Sequence, residues 1–195
     1  MKILLIIGHS KPHSFNHAIA EKSALVLKEL GHEVLFRDLY QEHFDPVMPT
    51  GEENLPENEL SEQIQHHIRD FKEADGVIIV HPNWWGGPPA ILRGWVDRVI
   101  RTGSCYNFTK EGVVSYVGGK IVQIFSTSNT PRDVELQVYG DPIETFWKTV
   151  VFGLLGTKSF ERRNFESIVL STSEERQSWL AEVESTLKRR FDTIP

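Results

Sequence analysis

Residues 2–16 read Lys2-Ile3-Leu4-Leu5-Ile6-Ile7-Gly8-His9-Ser10-Lys11-Pro12-His13-Ser14-Phe15-Asn16. The apolar run from Ile3 to Ile7, ended by a glycine, has the pattern of a short strand buried on both faces of a parallel sheet. Ser14 is a helix N-cap type. Behind it Phe15, Ala18, Ile19, Leu25, Val26 and Leu30 recur at helical spacing, and Gly31 supplies a stop. Glu33 to Phe36 then reads as a second strand, leading into Arg37-Asp38-Leu39-Tyr40. Strand, helix and strand in this order make the first half of a doubly wound fold.

The rest of the chain continues the alternation. A Pro-bearing excursion from Gln41 to Asn58 reads as surface, not as a linker between domains. Leu60, Ile64, Ile68 and Phe71 stripe one face of a helix whose other face is polar. Further strands are predicted over Gly76–Val80, Lys120–Phe125 and Ser159–Phe165, with helices over Ala90–Ile100, around Ile143–Phe152 and through Trp179, Leu180, Val183 and Leu187. The expected architecture is α/β: a flavodoxin-like, doubly wound, five-stranded parallel sheet with helices on both faces, as a single domain over residues 1–195. In such sheets ligands bind at the carboxyl ends of the strands, near the point where the strand order reverses.

Composition narrows the function. The formal net charge is -6, without the basic excess that tracks phosphates, so nucleic acid is excluded as a partner. Cys105 is the only cysteine, which rules out an internal disulfide and predicts a reducing, cytoplasmic setting. The apolar run at the amino end stops at Gly8, too short for a secretory core. No stretch approaches the roughly 20 apolar residues that cross a bilayer, so no membrane insertion is expected.

Three loops at strand ends carry unusual chemistry. After the first strand, Ser14 caps a helix whose Phe15 and Asn16 amides point outward, which suits a phosphate, with His9, Ser14 and Asn16 as side-chain donors. The loop is neither G-x-x-x-x-G-K-[ST] nor G-x-G-x-x-G, which argues against a triphosphatase or a dinucleotide Rossmann domain. After the third comes His81-Pro82-Asn83-Trp84-Trp85-Gly86-Gly87-Pro88-Pro89, where adjacent tryptophans suit a flat aromatic ligand. After the fourth, Ser126-Thr127-Ser128-Asn129 suits the polar edge of a pyrimidine-like ring.

His9-Ser10 with Ser14-Phe15-Asn16, Asp38-Leu39-Tyr40, and the stretch from Pro82 to Trp95 ending Pro89-Ala90-Ile91-Leu92-Arg93-Gly94-Trp95 resemble the NAD(P)H:quinone oxidoreductase family, the DT-diaphorase type of flavodoxin-like flavoproteins, in its bacterial-type branch. The resemblance runs through most of the first 140 residues. It implies a homodimer that binds FAD (alternatively FMN) and passes a hydride from NADH or NADPH to the flavin and then to a quinone. It also implies cofactor contacts from His9, Ser14, Phe15, Asn16, Pro82, Asn83, Trp84, Trp85, Gly86, Ser126, Thr127, Ser128 and Asn129. Mammalian members have Thr-Thr-Gly-Gly where this chain has Ser126-Thr127-Ser128-Asn129. They also place a Tyr and a His near the flavin at positions held here by Val134 and Tyr139. Tyr139 is therefore the candidate catalytic side chain. Backbone amides of the 126–129 loop are the expected support for negative charge on the reduced ring.

No metal site is expected: His9, His13 and His17 are not on one helix face, and no carboxylate or cysteine joins them. His66, His67, Arg162 and Arg163 are read as solvated, Cys105 as no nucleophile, and Trp95 as core or subunit interface. The rival functions are a flavodoxin-type electron carrier, a regulatory subunit of a potassium-efflux system, and an FMN-dependent azo or nitro reductase.

Overall fold

The computed structural model describes residues 1–192. In chain order the elements are β1 (Lys2–Ile7), α1 (Phe15–Glu29), β2 (Glu33–Asp38), α2 (Glu62–Glu73), β3 (Gly76–Pro82), α3 (Ala90–Val99), β4 (Tyr106–Thr109) and β5 (Gly112–Ser115). Then follow β6 (Ile121–Thr127), α4 (Arg132–Gln137), α5 (Pro142–Glu144), a π-helical turn over Thr145–Val151, α6 (Phe152–Leu155), β7 (Ser159–Phe165) and α7 (Ser173–Phe191). All strand pairings of the main sheet are parallel, and its order is β2-β1-β3-β6-β7. This is the flavodoxin-like sheet order, and it turns at β1, which lies between β2 and β3.

The uninterrupted apolar run of β1 has a direct cause. Ile3, Leu5 and Ile7 pack under α1 and α7, with Ile19, Val26, Val183, Leu187 and Phe191. Leu4 and Ile6 face the opposite layer of α2, α3 and the π turn, with Ile64, Phe71, Leu92, Trp95 and Trp147. Both faces of the strand are dry, and each such side chain contributes roughly 1.5–3 kcal/mol on burial.

The 41–58 excursion is held more firmly than a surface reading implies. Phe44 and the following Leu60 are core residues. Gly94 on α3 lets the Pro46 backbone approach so closely that a Cβ there would lie 2.2 Å from the Pro46 carbonyl oxygen. Beside it the buried Arg98 makes a two-pronged ion pair with Glu52, at 2.7 and 2.5 Å.

Two further expectations are corrected, and one element is added. His67 is buried, not solvated: its Nδ1 accepts from Trp95 Nε1 at 3.1 Å, and its Nε2 lies 3.1 Å from Glu42. Arg162 is not solvated either; its side chain is 2 % exposed and sits among carboxylates. The exposed hairpin β4–β5 was not expected from the sequence. Cys105 is buried, its Sγ donates to the Val99 carbonyl, and burial pushes its thiol up to about 11.

Candidate active site

The loops after β1, β3 and β6 meet at the carboxyl rim of the sheet. The Asn83 amide donates to the Thr127 carbonyl at 2.7 Å, Asn16 Nδ2 donates to Thr127 Oγ1 at 3.0 Å, and the His9 and Trp84 rings lie 6.1 Å apart. Sequence positions as distant as 9, 84 and 127 thus share one rim.

At the first loop Ser14 caps α1, its Oγ accepting from the His17 amide. Among the described residues the Phe15 and Asn16 amides have no acceptor, and they stand at the positive end of a fifteen-residue helix. His17, which the sequence reading weighed only as a metal ligand, bridges Ser14 Oγ at 2.8 Å and Asp38 Oδ2 at 3.2 Å. With the ring neutral, Asp38 takes the Nε2 proton and the Ser14 hydroxyl donates to Nδ1. His9 accepts from the Lys11 amide through Nδ1, which leaves the proton of the neutral ring on Nε2. Burial, with His17 nearby, holds His9 below the usual histidine range. Phe15 turns its ring inward against Phe165 and Trp179, so its amide is what it presents to the rim.

Asn16 is buried, with one end of its amide tied to Thr127 and the other without a partner among the described residues. This holds whichever way the amide is turned, because a threonine hydroxyl can donate or accept. A buried polar atom left unpaired costs about 1–3 kcal/mol, and a ligand carrying hydroxyl and phosphate oxygens would remove that cost. The donor set here therefore fits the phosphate-bearing chain of a flavin.

The second loop is a tight turn in which Trp84 and Gly87 exchange backbone hydrogen bonds of 3.0 and 3.2 Å. Its two central residues, Trp85 at φ 56° and Gly86 at φ 74°, are both left-handed. Glycine and asparagine take that conformation readily; a bulky residue pays on the order of 1–2 kcal/mol. Trp85 is 104 % exposed, and Trp84 is half-exposed. A strained indole pointing at water is the feature most in need of a ligand to explain it. Pro82 is buried at the end of β3.

At the third loop the strand uses up more of the backbone than the sequence implies. Residues 126 and 127 belong to β6, and the Ser128 amide donates to the Phe165 carbonyl. Of the 126–129 amides, only that of Asn129 is left over among the described residues. The Ser126 hydroxyl is also committed, donating to Asn164 Oδ1 at 2.9 Å.

A pocket of about 560 Å³ opens here, lined by Asn83, Trp85, Gly86, Thr130, Glu135, Tyr139 and Pro142. Its size suits a small-molecule or cofactor site. Tyr139 is exposed on its wall, and its hydroxyl has no partner among the described residues. Behind the pocket lies a charge cluster that sequence reading missed. Arg162 Nη2 binds both oxygens of Asp141 at 2.6 Å, its Nε binds Glu144 at 3.1 Å, and its Nη1 lies 3.7 Å from Glu135. Glu135 is buried and accepts from Asn83 Nδ2 at 3.3 Å and from Asn164 Nδ2 at 3.1 Å. Burial raises its carboxyl above the usual range, while Arg162 pulls the other way. A second hollow of about 580 Å³ lies between α3 and the π turn, bordered by Met48, Val96, Tyr106, Phe146 and Leu154.

The comparisons agree with this architecture. A family model described as "Flavodoxin-like fold" matches residues 1–189. An uncharacterized NAD(P)H oxidoreductase of Haemophilus influenzae is 36% identical over 135 residues, covering 68% of this chain and 67% of that protein. NAD(P)H dehydrogenase [quinone] 1 of Cavia porcellus is 30% identical over 172 residues, covering 74% of this chain and 62% of that protein. The chain thus spans about two thirds or less of the length of these curated relatives. Among solved structures, a Streptococcus mutans UA159 protein superposes with a TM-score of 0.86 at 30% identity, covering 97% of this chain and 100% of its own.

Proposed function

This chain belongs to the flavodoxin-like-fold family, and from that premise we propose that it is an NAD(P)H oxidoreductase that holds a flavin and reduces quinone-type acceptors. The observation that carries this reading is the meeting of three loops on one rim, with outward amides on the first and a strained, exposed Trp85 on the second, beside a pocket lined by Asn83, Trp85, Gly86 and Tyr139. A bound flavin would supply the hydride-transfer chemistry of a ping-pong cycle, whose net reaction takes NAD(P)H, a proton and quinone to NAD(P)⁺ and hydroquinone.

The chain's own work is binding and orientation. The Phe15 and Asn16 amides and His9 Nε2–H hold the phosphate, and the unpaired end of Asn16 meets the polar chain next to it. Asn83, Trp84, Trp85 and Gly86 form the platform for the ring. The Asn129 amide and Tyr139 hydroxyl are the donors toward developing negative charge, with Thr127 and Ser128 fixing the loop behind them. The cofactor is FAD on the strength of the resemblance, with FMN the alternative.

The working unit is a homodimer in the cytoplasm. Phe108, Val113, Val114 and Tyr116 on and beside the β4–β5 hairpin are exposed, and a second copy would cover them. The single-domain reading over residues 1–195 goes with this proposal.

The purified protein is expected to be yellow, or to become so with FAD or FMN, and to oxidise NADH or NADPH steadily when a simple quinone is supplied. The mass of the released cofactor decides between the two flavins. Protein that stays colourless with excess FAD and FMN would remove the proposal.

A further inference from the structure

We propose that Glu135 is a positioning residue which, through Asn83, holds the Trp84–Gly86 turn in the conformation that receives the cofactor ring. The proposal rests on the flavin-binding reading above and adds to it a residue outside the three loops.

The turn needs an external hold. Trp85 sits left-handed at the tip of a two-residue turn, and its ring is fully exposed, so packing does not offset the strain. Inside the turn, the Trp84–Gly87 pair is one restraint. The second is Asn83, whose Oδ1 accepts from the Gly86 amide at 3.0 Å. That bond fixes which way the Asn83 amide faces, because a backbone N–H only donates. The Asn83 Nδ2 is therefore directed at Glu135 Oε1, 3.3 Å away.

Glu135 is itself anchored from behind. Its Oε2 accepts from Asn164 Nδ2 at 3.1 Å, and Asn164 is buried and bonded to Ser126 and Ser128 at the end of β6. Arg162 Nη1, 3.7 Å from Glu135, offsets part of its charge, while Asp141 and Glu144 hold that guanidinium in place. Arg132 and Glu166 are the other charged groups acting on Glu135. The path runs from the rigid strands β6 and β7, through Glu135 and Asn83, to the strained Trp84–Gly86 turn on the rim. Burying a carboxylate is costly. Here it is placed where it accepts from two amides at once.

Exchange of donor and acceptor across the Glu135–Asn83 contact tests this. Asn83→Asp keeps an acceptor for the Gly86 amide but sets a second carboxylate against Glu135. It is expected to raise the flavin dissociation constant tenfold or more and to speed amide hydrogen exchange at Gly86 in the apoprotein. Glu135→Ala is expected to do the same. Adding Glu135→Gln to Asn83→Asp restores a donor–acceptor pair and is expected to recover affinity to within about threefold of wild type. The inference is overturned if Glu135→Ala leaves both Gly86 exchange and flavin affinity within twofold of wild type. It is also overturned if the double variant is no better than Asn83→Asp alone. If Glu135→Ala does not fold, the exchange pair still decides. A wild-type protein that binds no flavin defeats the functional reading instead, and Gly86 exchange in the apoprotein still reports on the bridge.

Discussion

His81 lies at the carboxyl end of β3 with no exposure, its Nδ1 bonded to the Pro82 carbonyl at 2.8 Å and its Nε2 accepting from Trp147 Nε1 at 2.9 Å. That acceptor role requires a neutral ring, and burial lowers the imidazole to about 4. Between the ordinary value near 6.5 and 4 the unfolded chain therefore binds a proton that the folded chain does not. Stability should fall as pH drops through that interval, by up to about 3 kcal/mol in all, and level off below it. Urea midpoints measured from pH 7 to pH 4 check this. His81→Gln, which can still accept from Trp147, is expected to lose most of the slope. At the same scale, Tyr139→Phe is expected to lower the rate of flavin reduction or reoxidation in stopped-flow traces while leaving cofactor affinity within about twofold; unchanged rates would remove Tyr139 from the chemistry. The rim residues proposed to face a cofactor stood out in the sequence because their types are unusual for their places: paired tryptophans in a Gly/Pro loop, histidines around an N-cap. Glu135, Arg162 and His67 were not, because a charged residue on a helix or edge strand normally faces water, and only the tertiary partner shows otherwise.

At the scale of elements, α3 and the 41–58 excursion are locked together through Gly94 and the Arg98–Glu52 ion pair. Two effects of Gly94→Ala oppose each other. Helix propensity favours alanine by about 1 kcal/mol. Against that, the new Cβ meets Pro46 backbone at 2.2 to 2.5 Å, where nothing flexible can yield, and overpacking of this kind costs about 1–3 kcal/mol. The steric effect should win: Gly94→Ala is expected to lower the thermal midpoint, whereas Gly31→Ala, at a helix end in open space, tests backbone strain alone. The same segment shows how far periodicity reads. Regular strands and helices announced themselves through spacing, as β1, α2 and α3 did. The excursion did not, since its order comes from Phe44 in the core and Arg98 and Arg101 gripping Glu52, none of which follows a period. The π turn was likewise read only as a helix, because its wider winding leaves the same kind of apolar pattern as an α-helix.

For the whole molecule, the exposed apolar residues of the hairpin predict association. Sedimentation is expected to give twice the 22.3 kDa chain mass, and Phe108→Asp is expected to shift the protein toward monomer with little change in far-UV circular dichroism. The five strands of the main sheet were legible from the alternation of element types, whereas alternation alone left several strand orders open and the order β2-β1-β3-β6-β7 is that of the flavodoxin-like type implied by the resemblance. The sealed thiol of Cys105 bears on the quinone-type acceptors proposed above. Quinones are electrophiles as well as oxidants, and they arylate thiolates by conjugate addition. A protein that turns over such compounds while displaying a soft nucleophile would be poisoned by its own substrates. Here the sole sulfhydryl is shut inside the core and kept protonated, with its pKa near 11. Benzoquinone should therefore leave the cysteine of the native chain unmodified and tag it readily once urea has opened the fold, a difference that peptide mass mapping reads directly.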